Sequence, residues 1–475
     1  MSEFFPTVRF APRSVLRALW RAARWFGRGV RRRARALVYL VLVLLVVHLT
    51  ATLITGRMLA REIARQRAAG YIVSIDDLIP RVPAGEKNAA DLYQKAFDAL
   101  RLSKEDENEL FENPFDQWDA KRLALARRVI AANAEYYRLL EGAARTPHCA
   151  FPVNWHGWPW AISFAHLAKL RQAARMLQAR NGLAVHDDHP DQALADCGAM
   201  LGMAQHAKME PSLISQLVAY ALQGIALQTL ERALSAGTPS PQACQRLFDQ
   251  IAAIDQIAPS IRAMKGEVAL CGLATFESLL RRRSDRDMRD LAEAVGQSGS
   301  RWPILALRSY GSVGRPIAYL DELAYLRAMK RNLDAFGLPW PQSKRAIEDM
   351  ENGVKRLPTY GSILTKMITP VFSRAVLSRD RATASLGDAQ IALALKTHRS
   401  DRGGYPDSLA ALERAGFKLP NDPFGGKTYH YRREGAGFIV YSIGPNLKDD
   451  GGKPWDRAAK SLEDGSYDLP IRCSH

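Results

Sequence analysis

Acidic side chains are all but missing from the first 35 residues of this 475-residue chain, where ten arginines stand against a single acid, Glu3. The tail therefore holds +9 of the formal net charge of +17, leaving +8 for residues 36–475. A nucleic-acid-binding body carries its basic excess on a folded face, so this distribution argues against nucleic acid as a partner. Cysteine is scarce too. Cys149, Cys197, Cys244, Cys271 and Cys473 are widely spaced, which excludes a small disulfide scaffold. Ala/Leu-rich surroundings assign Cys197, Cys244 and Cys271 to core packing.

Catalytic signatures are missing as well. Gly296-Gln297-Ser298-Gly299-Ser300 and Tyr310-Gly311-Ser312-Val313-Gly314 both miss the Gly-x-Ser-x-Gly spacing of a nucleophile elbow. No phosphate-binding glycine loop with lysine and no paired Cys-x-x-Cys sites occur. An active site assembled in space from scattered residues stays open. For that version, a hydrolase, the candidates are His156, His186 and His189. His156 sits in Trp155-His156-Gly157-Trp158-Pro159-Trp160, whose clustered tryptophans read first as a hydrophobic plug between helices.

What is present begins with one apolar run. Residues 36–56 carry no formal charge between Arg35 and Arg57. A helix needs roughly 20 apolar residues to cross the hydrocarbon core, and this run is apolar on every face, unlike a half-buried helix. The basic leader is long for a cleaved signal and no small-x-small site ends the run, so an uncleaved signal anchor is expected. The arginine-rich tail, residues 1–35, then stays cytoplasmic and the rest of the chain is exoplasmic. Residues 14–30 read as an amphipathic helix with Leu16, Leu19, Trp20 and Ala23 on one side. Each nearby arginine adds about 1 kcal/mol of attraction to anionic lipid headgroups.

Residues 57–380 predict an irregular antiparallel helical array. Apolar residues recur three or four apart through Leu92, Tyr93, Ala96, Phe97 and Leu100, and again through Phe164, Leu167, Leu170, Ala174 and Leu177. Pro190, Pro211 and Ser240-Pro241 mark helix starts. No repeat of fixed period is found, which argues against a regular solenoid. The charged and Gly/Ser-rich stretch 281–315 predicts a mobile loop between two helical subdomains. The segment from Lys355 to Pro370 has no clear assignment.

Residues 381–475 predict a small α+β domain. Ala382 to His398 forms a helix, then come Gly403-Gly404-Tyr405-Pro406 and Asn421-Asp422-Pro423-Phe424-Gly425-Gly426 as turns. Thr428 to Arg432 and Gly437 to Ser442 follow as two paired strands. That order, over about Asp380 to Gly452, resembles the globular domain of the major pseudopilin of type II secretion systems. The chain departs from the family in lacking its leader cleavage signal and the acidic residue inside the span, and in inserting a long helical region. The whole arrangement is similar to membrane-anchored envelope proteins of planctomycete-like bacteria. The resemblance implies a binding or scaffolding module with an envelope protein as partner, linked to type II secretion. It also implies calcium in the loop Gly444 to Gly452, with Asp449 and Asp450 as ligands and Asn446 and Asp456 as further oxygen donors. Clustered acids and glycine-rich backbone supply the hard oxygens that calcium prefers.

Overall fold

The computed structural model describes residues 13–113, 115–280, 293, 309–358, 360–369, 372–454 and 468–473. The fold is mainly helical with a small three-stranded sheet. Most of the stretch 281–315, and Asp456, lie outside the described residues.

Helix α1, Arg13–Ala68, is a single element. It joins the residues read as amphipathic, the apolar run and the first dozen residues beyond it without a break. From Leu37 to Leu45 every residue is exposed, whereas Leu59, Glu62 and Gln66 are buried at helical spacing. They pack along α12, Arg315–Phe336. Contacts climb together along the pair. A Cβ on Gly56 would lie 3.2 Å from Tyr319, Gln66 Nε2 donates to the Leu326 carbonyl at 3.2 Å, and Tyr71 Oη donates to Asp334 at 2.5 Å. The two helices are therefore parallel.

Between them runs the helical array: α2 Ala89–Ala99, α3 Lys104–Phe111, α4 Ala120–Ala132, α5 Ala134–Ala144, α6 Ala165–His186, α7 Pro190–Ala207, α8 Leu213–Ala236 and α9 Pro241–Ala252. Helix α10, Ile257–Glu267, continues through a π-helical stretch, Val268–Leu273, into α11, Ala274–Leu280. Local chemistry sets the starts. Pro190 and Pro241 occupy first turns, where a missing N–H costs nothing, and the Ser240 hydroxyl accepts from the Ala243 amide at 3.2 Å. Pro211 lies just outside α8, for which Ser212 is the cap residue. Helix α8 is long and apolar enough to cross a membrane, but it is mostly buried against α6, α7 and the long C-terminal helix.

After α12 come α13 Trp340–Arg356, α14 Ile363–Ile368, α15 Phe372–Arg402 and α16 Leu409–Arg414. The antiparallel sheet is β1 His430–Glu434, β2 Gly437–Ser442 and β3 Leu469–Cys473, in the order β1-β2-β3. Its central strand is buried throughout. Strand β3 docks on α8, where Glu231 accepts from the Arg472 amide at 3.0 Å and Ser235 donates to the Arg472 carbonyl at 3.1 Å.

Two hydrophobic clusters hold the molecule together. One unites α2–α9 with the second half of α15 and the sheet. The other unites the end of α1 with α10–α14, the first half of α15 and Phe424. Helix α15 is the shared spine, and position 380 falls inside it. All five cysteines are free thiols, and Cys197 and Cys244 are fully buried in the first cluster.

Candidate functional site

The C-terminal turns and loops converge on α13. Trp340 stacks edge-on against Phe424 with ring centroids 5.4 Å apart, and its indole N–H donates to the Pro445 carbonyl at 3.1 Å. Behind Phe424, Asp422 organises the Asp-Pro-Phe-Gly turn. Its carboxylate accepts from the Phe424 amide at 2.9 Å, the Ser442 hydroxyl at 2.8 Å and the Ile443 amide at 3.2 Å. The turn is thereby locked to the end of β2, where the loop Gly444 to Gly452 begins.

Within that loop the predicted ligands lie close together but serve different partners. Asp449 Oδ1 accepts from the Gly451 amide and the Tyr441 hydroxyl, each at 2.9 Å, while Oδ2 sits 3.2 Å from His430 Nδ1. The Gly451 amide is the main reason the Asp449 carboxyl is held below its ordinary range, with Tyr441, His430 and Arg432 helping. Asp450 Oδ2 accepts from Asn446 Nδ2 at 2.7 Å. Gly451 offers its carbonyl to Arg432 at 3.0 Å. Calcium would have to displace these donors to collect its six or more oxygens. Among the described residues, no three His, Cys, Asp or Glu side chains are grouped to hold a metal ion.

Asp468 is the residue that sequence reading missed. Fully buried, it accepts from the Asp450 amide at 3.3 Å and the Gly452 amide at 2.6 Å, closing the loop from behind. Burial pushes its carboxyl up, and the charges of Asp450 and Asp449 add to the shift. Asp388 on α15 lies deeper. Burial first, then the like charges of Asp422, Glu231 and Asp468, push it far above the usual carboxylate range.

The three histidines do not form one site. His156 pairs with Asp76 at 3.2 Å, near the start of α6, because Trp155 packs on Phe164 just before that helix. His186 and His189 lie at the opposite end, in the α6–α7 turn. A helix of α6's length is about 30 Å long. The tryptophans are packed, with Trp155 buried and the Trp160 indole donating to Thr275 at 3.0 Å. A nearer constellation is Ser215, Glu210 and His166, but the acid is in the middle: Glu210 accepts from the Ser215 hydroxyl at 2.5 Å and lies 2.7 Å from His166 Nε2. A catalytic triad needs histidine between serine and acid, so this group ties α6 to α8 without activating the hydroxyl.

A cleft of ≈ 710 Å³ opens beside it, lined by Arg81, His148, Cys149, Gln205, Lys208 and Arg262 among others. Burial lowers the Lys208 amine to about 7, with Asp255 opposing the shift, and Nζ makes a long 3.4 Å contact to the Asp255 carbonyl. Burial pushes the Cys149 thiol well up, which leaves it a poor nucleophile. The cleft can take a small polar molecule, but it presents no serine or cysteine bonded to a base. No protein-family model, no curated protein and no solved structure matches the chain.

Proposed function

We propose that the chain is a single-pass, membrane-anchored envelope protein whose helical array and C-terminal α+β cap act as a binding or scaffolding module. One observation carries the reading. The uncharged run in α1 leaves Leu37 to Leu45 exposed on all faces, while the other comparably apolar helix, α8, is mostly packed into the core. An apolar surface of that extent needs a bilayer or a partner to cover it. The arginine tail supports a cytoplasmic N-terminus, with the body on the exoplasmic side of the inner membrane. Anionic headgroups are the natural partners of the tail.

The pseudopilin likeness, and with it a link to type II secretion, is supported by a long helix, a short helix, an Asp-Pro-Phe-Gly turn and an antiparallel sheet in that order. Calcium belongs to the same reading and requires Asp449 to release His430.

Alkaline extraction and protease protection in spheroplasts test the topology. The chain is expected to stay with the membrane, with its body cleaved only from outside; extraction into the soluble fraction would sink the anchor. Crosslinking in cells tests the scaffold, and recovery of no envelope partner would count against it.

A further inference from the structure

We infer that the folded body is not tethered above the membrane but is seated on it, through two apolar-tipped turns at the N-terminal end of α12 that enter the headgroup layer of the bilayer crossed by α1. The inference rests on the anchor reading and adds a second lipid contact, made by the body itself.

The depth argument comes first. Because α1 and α12 are parallel, the start of α12 points toward the apolar run. Tyr319 is level with Gly56, the last residue of that run. Helix α12 begins at Arg315, four residues before Tyr319 and so about 6 Å further toward the bilayer at helical rise, and the turn carrying Val313 immediately precedes that start. Burial along α1 agrees: Ala51 and Thr52 are half-covered and Thr55 is buried, all inside the run. The run has no length to spare. Its 21 residues span about 31 Å, and the hydrocarbon core is about 30 Å thick. Lifting the covered residues clear of the membrane would pull the run short, so the body's edge reaches headgroup depth.

The surface at that edge fits lipid. Val313 is 77% exposed, Tyr360 67% and Leu320 42%. Single exposed apolar residues are ordinary, but these three share one end of the molecule. Gly361, with φ +99, lies against Ile317 in the first turn of α12. Tyrosine is enriched at membrane interfaces, and exposed Arg315 and Arg57 suit anionic headgroups.

The two turns are also braced together, as a seat requires. Asp321 is fully buried and accepts from the Tyr310 hydroxyl at 2.6 Å, the Leu364 amide at 3.0 Å, and the Thr365 amide and hydroxyl at 3.1 and 2.6 Å. One carboxylate thus joins the turn carrying Val313, helix α12 and the start of α14 just after Tyr360.

The test uses full-length protein in vesicles of phosphatidylethanolamine and phosphatidylglycerol, nitroxide-labelled at Val313→Cys, Tyr360→Cys, Leu42→Cys or Glu413→Cys. Glu413 is an exposed control on α16, in the cluster that contains no part of α1. Unsubstituted protein gives the labelling background, and melting curves confirm that each variant is folded. Collisions with a water-soluble nickel chelate are expected to fall several-fold at Val313 and Tyr360 relative to Glu413, with oxygen collisions rising. Val313 and Tyr360 as accessible to nickel as Glu413, with Leu42 protected, would overturn the seat and leave the anchor standing. Leu42 itself accessible to nickel would remove the anchor and the seat together.

Discussion

Asp422 holds three donors with one carboxylate, and hydrogen bonds to charged groups are worth about 1.5–3 kcal/mol each. Asp422→Ala is expected to cost about 3 kcal/mol in a urea titration, whereas Asp407→Ala, whose carboxylate makes only an exposed pair with Arg433, should cost under about 0.5 kcal/mol. Lys208 gives a signed pH dependence. Folding holds its amine near 7, against about 10.4 for a free lysine. Between those values the unfolded chain binds a proton there that the folded chain does not, so stability rises with pH across the window. Below it the destabilisation is fully present. Lys208→Met is therefore expected to be more stable than the parent near pH 6, the gap closing toward about pH 10 in paired urea titrations. Asp422 was legible as a turn residue because its pattern is local. Asp468 was not, since the amides it accepts lie 16 and 18 positions away and only the folded loop brings them to it.

At the scale of elements, close approach decides which glycines matter. A Cβ on Gly266 would fall 1.8 Å from the Pro211 carbonyl oxygen, a backbone atom that cannot swing aside. Gly266→Ala is expected to cost about 3 kcal/mol by forcing α10 away from the start of α8. Gly224, inside α8 with nothing within 4 Å of its added Cβ, should behave oppositely, and Gly224→Ala should gain about 1 kcal/mol. Thermal melting of both variants checks the pair. Helices with proline or serine starts were readable from sequence, as was β2 at Gly437 to Ser442, while the strand read at Thr428 to Arg432 overlaps β1, which runs two residues later. Strand β3 was not. Its Leu469-Pro470-Ile471-Arg472-Cys473 includes a proline, which is tolerated at a sheet edge, and its outer side is satisfied by Glu231 and Ser235 of a helix more than 200 residues earlier. The short α14 escaped for a similar reason, as its first amides are capped by Asp321 from another helix.

For the whole molecule, the end of α1 belongs to the body as much as to the run before it. A fragment starting at residue 57 keeps Leu59, Glu62 and Gln66 and is expected to fold. One starting at residue 72 loses them and should melt several degrees lower by circular dichroism, because α12 is left with an uncovered face. The same continuity makes α1 a lever. Its 56 residues form about 84 Å of unbroken helix, with no loop to absorb rotation between the apolar run and α12. On the proposed anchoring, α1 would meet a thinner bilayer by tilting, and that tilt could not stay within the membrane. The body would lean by the same angle, carrying the C-terminal sheet sideways over the surface. Membrane thickness would thereby set where the distal end of this protein points.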